Sequence, residues 1–143
     1  MAGMTAKDIM SEGAQCVGER ETLQDAARMM RDLGVGAVPI CGEDQRLKGV
    51  ITDRDITITC VAEGRDPSTV RAGELAGELF WTDATASVDD VLRSMEEHHV
   101  KRLPVIDVQN EHRLVGMISE ADLAKNLSDA QIAEFVEHVY ATT

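Results

Sequence analysis

Residues 21–56 and 86–123 carry one pattern twice. The first copy reads ETLQDAARMMRDLGVGAVPI, a turn, then LKGVITDRDI; the second reads ASVDDVLRSMEEHHVKRLPV, a turn, then LVGMISEADL. Pro39 aligns with Pro104, Gly49 with Gly116, Thr52 with Ser119 and Asp55 with Asp122, the second turn being two residues longer. A duplicated unit of this size is one supersecondary block that cannot bury its apolar face alone. The two copies are therefore expected to pack as a pseudo-symmetric pair, and the clefts at their seam are where a ligand is expected.

Periodicity predicts the same order of elements in each copy. In the first, Cys16–Val17 reads as a short strand, and Leu23, Ala26, Ala27, Met30 and Leu33 recur at helical spacing over Glu21–Leu33. Thr22 can cap that helix and Gly34 can end it. Ala37–Cys41 and Leu47–Ile51 flank a polar turn as a hairpin, and Thr52 starts a helix to about Val61. In the second, Phe80–Thr82 is a strand, Val88–His99 a helix, Leu103–Ile106 with Leu114–Ile118 a hairpin, and Ser119 the next helix start. Lys7–Met10 and Ala72–Leu79 read as helical turns, and Ser11–Gln15 as a loop. The fold class is α+β, two β-α-β-β-α units with a C-terminal helix. The expected division is 6–63, a linker at 64–71, 72–127, and a tail helix within 128–143. That tail carries Ile132, Phe135, Val136, Val139 and Tyr140 on one stripe, which covers either its own module or a dimer partner.

Two such units with hxxxPV before a hairpin and GxxT/SxxD after it resemble a tandem pair of CBS (cystathionine-β-synthase) domains. Gly49-Val-Ile-Thr-Asp-Arg-Asp-Ile56 carries the resemblance most closely, and Gly116-Met-Ile-Ser-Glu-Ala-Asp-Leu123 is a looser second instance. The likeness spans about residues 6–127, and the chain's length is similar to that of small stand-alone members of the hypoxic-response type. It implies a CBS module, commonly a homodimer, that binds an adenosyl ligand in its inter-repeat clefts.

The chemistry of the motif fits that implication. Where a strand gives way to a helix, backbone N–H groups and the positive helix end suit a phosphate. A hydroxyl at Thr52 or Ser119 can donate to a phosphate oxygen, and a carboxylate at Asp55 or Asp122 can accept from ribose hydroxyls. The competing role is structural: Thr-x-x-Asp and Ser-x-x-Asp are near relatives of the capping box and serve helix starts with no ligand. Charge separates the two roles, because with 26 acidic and 14 basic residues the chain carries −12, and a phosphate needs local cations. Arg54 lies inside the first motif, where the second has Ala121; Lys101 and Arg102 precede Leu103-Pro104, where the first copy has Gly36 and Ala37. By resemblance these basic residues hold phosphates, so the two clefts are not expected to be equivalent. Without a ligand, Arg54 would pair with Asp53 or Glu120, and Lys101 and Arg102 would be a solvated strand edge. The resemblance also places Val38 and Leu103 in an adenine slot. Trp81, the sole tryptophan, stacks on a base or belongs to core or interface. Few cations favour AMP or another adenosyl ligand over a triphosphate; the candidate regulatory ligands are AMP, ADP, ATP and S-adenosylmethionine, with no required cofactor.

Other classes are disfavoured. The acidic field repels nucleic acid and anionic membranes, and no run of eighteen apolar residues exists to span a bilayer. MAGMTAKDIM lacks the pattern of a signal peptide, so the expected compartment is the cytoplasm. No catalytic set emerges, and the chain is not expected to be an enzyme. His98 and His99, adjacent on a helix, point about 100° apart, so no metal site is expected. Cys16, Cys41 and Cys60 lack CxxC spacing. Cys16 and Cys41 fall on neighbouring parallel strands, however, and can form a disulfide. The first functional expectation is thus a ligand sensor, the alternative a ligand-free stress or interaction protein acting through dimerisation or thiol redox state.

Overall fold

Both hairpins form, and the centres of the apolar stripes read above are buried, Leu23, Ala26 and Met30 in the first copy and Val91 and Met95 in the second, while Ala27 and Leu33 stay exposed. The structure, a computed structural model, describes residues 3–140. It contains α1 (Ala6–Ile9), β1 (Ser11–Glu12), β2 (Val17–Gly18), α2 (Leu23–Leu33), β3 (Ala37–Cys41), β4 (Leu47–Thr52) and α3 (Asp53–Ile56). A π turn (Thr57–Val61) and a 3₁₀ turn (Ala72–Leu75) follow. Next come β5 (Thr82–Asp83), α4 (Val88–His98), β6 (Arg102–Asp107), β7 (Arg113–Ser119), α5 (Glu120–Asn126) and α6 (Asp129–Val139). Residues 141–143 of the expected tail lie outside the described residues.

Helix α2 shows why the elements form where they do. The Thr22 hydroxyl accepts from the Asp25 N–H at 3.1 Å and Asp25 accepts from the Thr22 N–H at 3.0 Å, a reciprocal cap. The Thr22 N–H, then its hydroxyl, hold the Asp25 carboxyl below the usual carboxylate range. Leu23, Ala26 and Met30, spaced three and four apart, are the buried face. Gly34 ends the helix in the left-handed region at φ 67°, where a Cβ would be strained.

Residues Ala14–Phe80 form one compact unit around a three-stranded sheet of order β2-β3-β4. β2 runs parallel to β3, and β3 antiparallel to β4. Val17, Leu23, Val38, Ile40, Ile51 and Cys60 lie in a single apolar cluster. Residues 3–13 and 81–140 form the other unit, with sheet order β1-β7-β6-β5. Its β6–β7 hairpin repeats the β3–β4 hairpin, including a register shift at the same place, between Ile40 and Cys41 and between Val105 and Ile106. In each, the proline lies where its strand has a neighbour on one side only, because β2 and β5 are two residues long and reach only the residues beyond it. A residue without an N–H is tolerated there.

The compact units and the sequence copies are not the same division. α1 and β1 precede the first copy but join the second copy's sheet, β1 pairing Ser11 with Met117 and Glu12 with Gly116. The 3₁₀ turn precedes the second copy but closes onto the first: Ala72 and Gly73 donate to the carbonyls of Glu21 (2.7 Å) and Glu19 (2.9 Å). Each compact unit includes the segment preceding the other copy, whereas the division at 6–63 and 72–127 follows the copies in order. Ser11–Glu12, expected as loop, is a strand. The helix expected from Thr52 to Val61 is four α residues that widen into the π turn.

Two glycines mark where these segments press on the hairpins. A Cβ on Gly49 would collide with the backbone carbonyl of Ala76, and one on Gly116 would lie 2.6 Å from the carbonyl of Ser11. Close backbone approach, rather than a special φ, explains glycine at both positions.

α6 packs on α4, burying Phe135 and Val139 while Val136 and Tyr140 stay exposed. The tail stripe therefore covers its own chain. Nothing comparable follows α3 in the Ala14–Phe80 unit, where Leu33, Val35, Ile58 and Val61 are exposed.

Candidate functional site

Strand β4 delivers Thr52 to the start of α3, and the capping role expected of the first motif is present. The Thr52 hydroxyl accepts from the Asp55 N–H at 3.0 Å, and Asp55 Oδ2 accepts from the Thr52 N–H at 2.9 Å. The same reciprocal box recurs at Thr22 with Asp25 and at Ser128 with Gln131, where no ligand motif lies. The cap uses one carboxylate oxygen. Asp55 Oδ1 accepts no hydrogen bond from the described residues, and the Thr52 hydroxyl donates to none of them.

The backbone seat expected for a phosphate is not available here. The Asp53 N–H donates to the Gly36 carbonyl (3.0 Å), the Arg54 N–H to Asp53 Oδ1 (2.8 Å), and the Asp55 N–H to Thr52. With those amides used and a helix of four residues, the cation must come from a side chain. Arg54 is exposed, and its guanidinium makes no ion pair within its own unit, Asp53 included.

The second motif keeps the cap and adds to it. Asp122 Oδ2 accepts from the Ser119 N–H at 2.9 Å and from the Ser119 hydroxyl at 3.1 Å. Oδ1 accepts from the Ser11 hydroxyl at 2.8 Å, and Asp122 is 7% exposed. Arg102 lies beside Ser119 across the β6–β7 ladder, half-buried. The Lys101 ammonium stands 4.4 Å over the Tyr140 ring, a cation–π contact, while the Tyr140 hydroxyl donates to Glu120.

Val38 is 1% and Leu103 0% exposed, paired with Ile51 and Ile118, the residues just before Thr52 and Ser119. Trp81 is partly exposed and meets His112 edge to face, with ring centroids 5.1 Å apart. His98 Nδ1 lies 2.9 Å from the Ser94 carbonyl and His99 Nδ1 3.3 Å from that of Val139. Cys16 and Cys41 are joined by a disulfide with a Cα separation of 5.7 Å, as the parallel pairing of β2 with β3 allows. Cys60 is buried and free.

The CBS-domain model matches residues 6–60 and 73–129, both repeats. The chain belongs to the CBS-domain family. It is 52% identical to Hypoxic response protein 1 of Mycobacterium tuberculosis over 136 residues, 94% of this chain and 93% of that one. It is 37% identical to the CBS domain-containing protein YhcV of Bacillus subtilis, over 85% of this chain and 84% of YhcV. Among solved structures it is similar to Hypoxic Response Protein I with two coordinated zinc ions. That match has 54% identity and a TM-score of 0.79, covering 87% of this chain and all of the other. CBS proteins are generally regulatory, often bind nucleotides and often form oligomers; stand-alone ones are typically not catalytic. Sequence reasoning missed Ser11 as a partner of Asp122, and the contacts that join Tyr140 to Glu120 and Lys101. The hydroxyl at Ser11 carried no signal, because its partner lies across the fold from a segment read as loop.

Proposed function

We propose that this chain is a non-catalytic sensor that binds an AMP-like adenosyl ligand at its Ser/Thr-x-x-Asp motifs and passes the binding on as a shift in conformation or association. The observation that carries this reading is that the first motif, with its cap complete, still offers a hydroxyl donor, a carboxylate oxygen and an unpaired guanidinium. Those are the groups that a phosphate and a ribose require. AMP, ADP, ATP and S-adenosylmethionine titrated in a thermal-shift experiment supply the test. At a hundredfold excess over the dissociation constant, a ligand adds about 2.7 kcal/mol, a rise of several degrees. No rise with any of the four at millimolar concentration would sink the reading.

A second reading rests on the disulfide. Its Cys16 end is half-buried rather than sealed, so a dithiol reductant can reach it and supply the two electrons and two protons that free both thiols. A relative named for a hypoxic response suits such a sensor of redox state. In that role the motifs act as caps only.

A homodimer belongs to the proposal as well. The exposed Leu33, Val35, Ile58 and Val61 lie on the unit that has no counterpart of α6, and Met30, Val35 and Ile56 line an open groove of about 470 Å³ there. A second copy of the chain is its proposed occupant. Sedimentation should show a dimer for the native protein and a monomer for Val61→Glu; a dimer in both would remove this face from the interface.

Among the described residues no three His, Cys, Asp or Glu side chains converge to hold a metal. No helix among them is long and apolar enough to cross a membrane, and a cytoplasmic setting is part of the proposal.

A further inference from the structure

The two motifs share a pattern but differ in which atoms remain free. We infer that the chain binds one adenosyl ligand, at Thr52, Arg54 and Asp55, and that its own Ser11 and Tyr140 close the second motif. This rests on the sensor reading and adds its stoichiometry.

A carboxylate that holds a ribose does so by accepting from sugar hydroxyls. At Asp122 that contact is already made, because the Ser11 hydroxyl donates to Oδ1 at 2.8 Å. The other oxygen holds the N–H and the hydroxyl of Ser119. A ribose hydroxyl entering here would exchange one hydrogen bond for another and leave Ser11 without its partner, a net gain near zero. At Asp55 the corresponding oxygen has no such donor among the described residues. The cause is visible in the segments that press on the two glycines. The residue whose carbonyl meets Gly116 is Ser11; the one whose carbonyl meets Gly49 is Ala76, which has no hydroxyl to offer.

Of the second motif's two cations Lys101 follows the same division, while Arg102, half-buried beside Ser119, makes no ion pair among the described residues. Lys101 is covered by the Tyr140 ring, and the Tyr140 hydroxyl is anchored on Glu120 at 2.9 and 3.1 Å. A phosphate approaching Lys101 would have to displace the end of α6 and would then meet the Glu120 carboxylate. Arg54 carries no such cover, because no helix equivalent to α6 follows α3. Side-chain chemistry thus separates two halves that the duplicated sequence makes look alike.

Isothermal titration calorimetry of the full chain with AMP, ADP, ATP and S-adenosylmethionine tests this. The wild type should take one equivalent of the ligand that binds. Asp55→Asn keeps an oxygen for the Thr52 N–H but turns the open acceptor into a donor, and should lose binding. Ser11→Ala with Tyr140→Ala, both exposed edge positions, should raise the count from one to two. Two equivalents in the wild type, one equivalent surviving Asp55→Asn, or a count fixed at one in the double variant would each overturn the inference. Binding of none of the four by the wild type would overturn the sensor reading itself, so the two failures are told apart.

Discussion

Reduction of the Cys16–Cys41 bridge is expected to lower the melting midpoint by about 10 °C. The bridge joins residues 25 apart in sequence. Cross-linking a loop of that length restricts the unfolded chain enough to contribute about 3 kcal/mol, and for a chain of this size each kcal/mol moves the midpoint by about 3 °C. The folded state also leans on the bridge. β2 is two residues long and pairs only with Ile40 and Cys41, while the Glu19 N–H donates to the Cys41 carbonyl at 2.9 Å. The Glu19 carbonyl in turn holds Gly73, so loosening β2 loosens the 3₁₀ turn. Calorimetry with and without dithiothreitol measures the effect. A Cys16→Ser, Cys41→Ser variant should melt like the reduced protein and ignore the reductant. Cys60 is buried with its thiol donating to the Arg65 carbonyl at 3.4 Å, and stays unchanged in both. Equal midpoints for oxidised and reduced protein would show that the bridge constrains nothing that unfolding releases.

Elements with their own periodicity were legible in the sequence. β3 matches its expected bounds, and α2 and α4 lie within a residue or two of theirs, because a capping residue, a spaced apolar face and a left-handed end residue mark each helix locally. What was not legible depended on partners far away in the chain. Ser11–Glu12 is an exposed polar dipeptide whose strand character comes entirely from β7. Its hydroxyl bond to a residue 111 positions later could not be read from spacing. The phosphate seat at Thr52 looked open because a sequence does not show that the Gly36 carbonyl and the Asp53 carboxylate take the first amides. The approach of Cys16 to Cys41 was anticipated for the opposite reason: a β-α-β unit makes its two strands parallel neighbours, which brings Cys16, just before β2, within reach of Cys41 at the end of β3.

Leu103→Ala is expected to cost about 3 kcal/mol, within the range for emptying a buried leucine site, and so to lower the midpoint by about 10 °C. Family resemblance puts Leu103 against an adenine ring, but its side chain is fully buried opposite Ile118. The two roles predict different orders of loss. A base contact loses ligand affinity at little cost to folding; a core residue loses folding stability first. Leu103→Met sharpens the comparison, because it keeps the volume and should stay within about 1.5 kcal/mol of the native protein. Denaturant melts of the three proteins decide between the roles. A small change for Leu103→Ala would return this residue to the ligand, whereas a large one, relieved in Leu103→Met, leaves recognition of the base to residues that a base can reach.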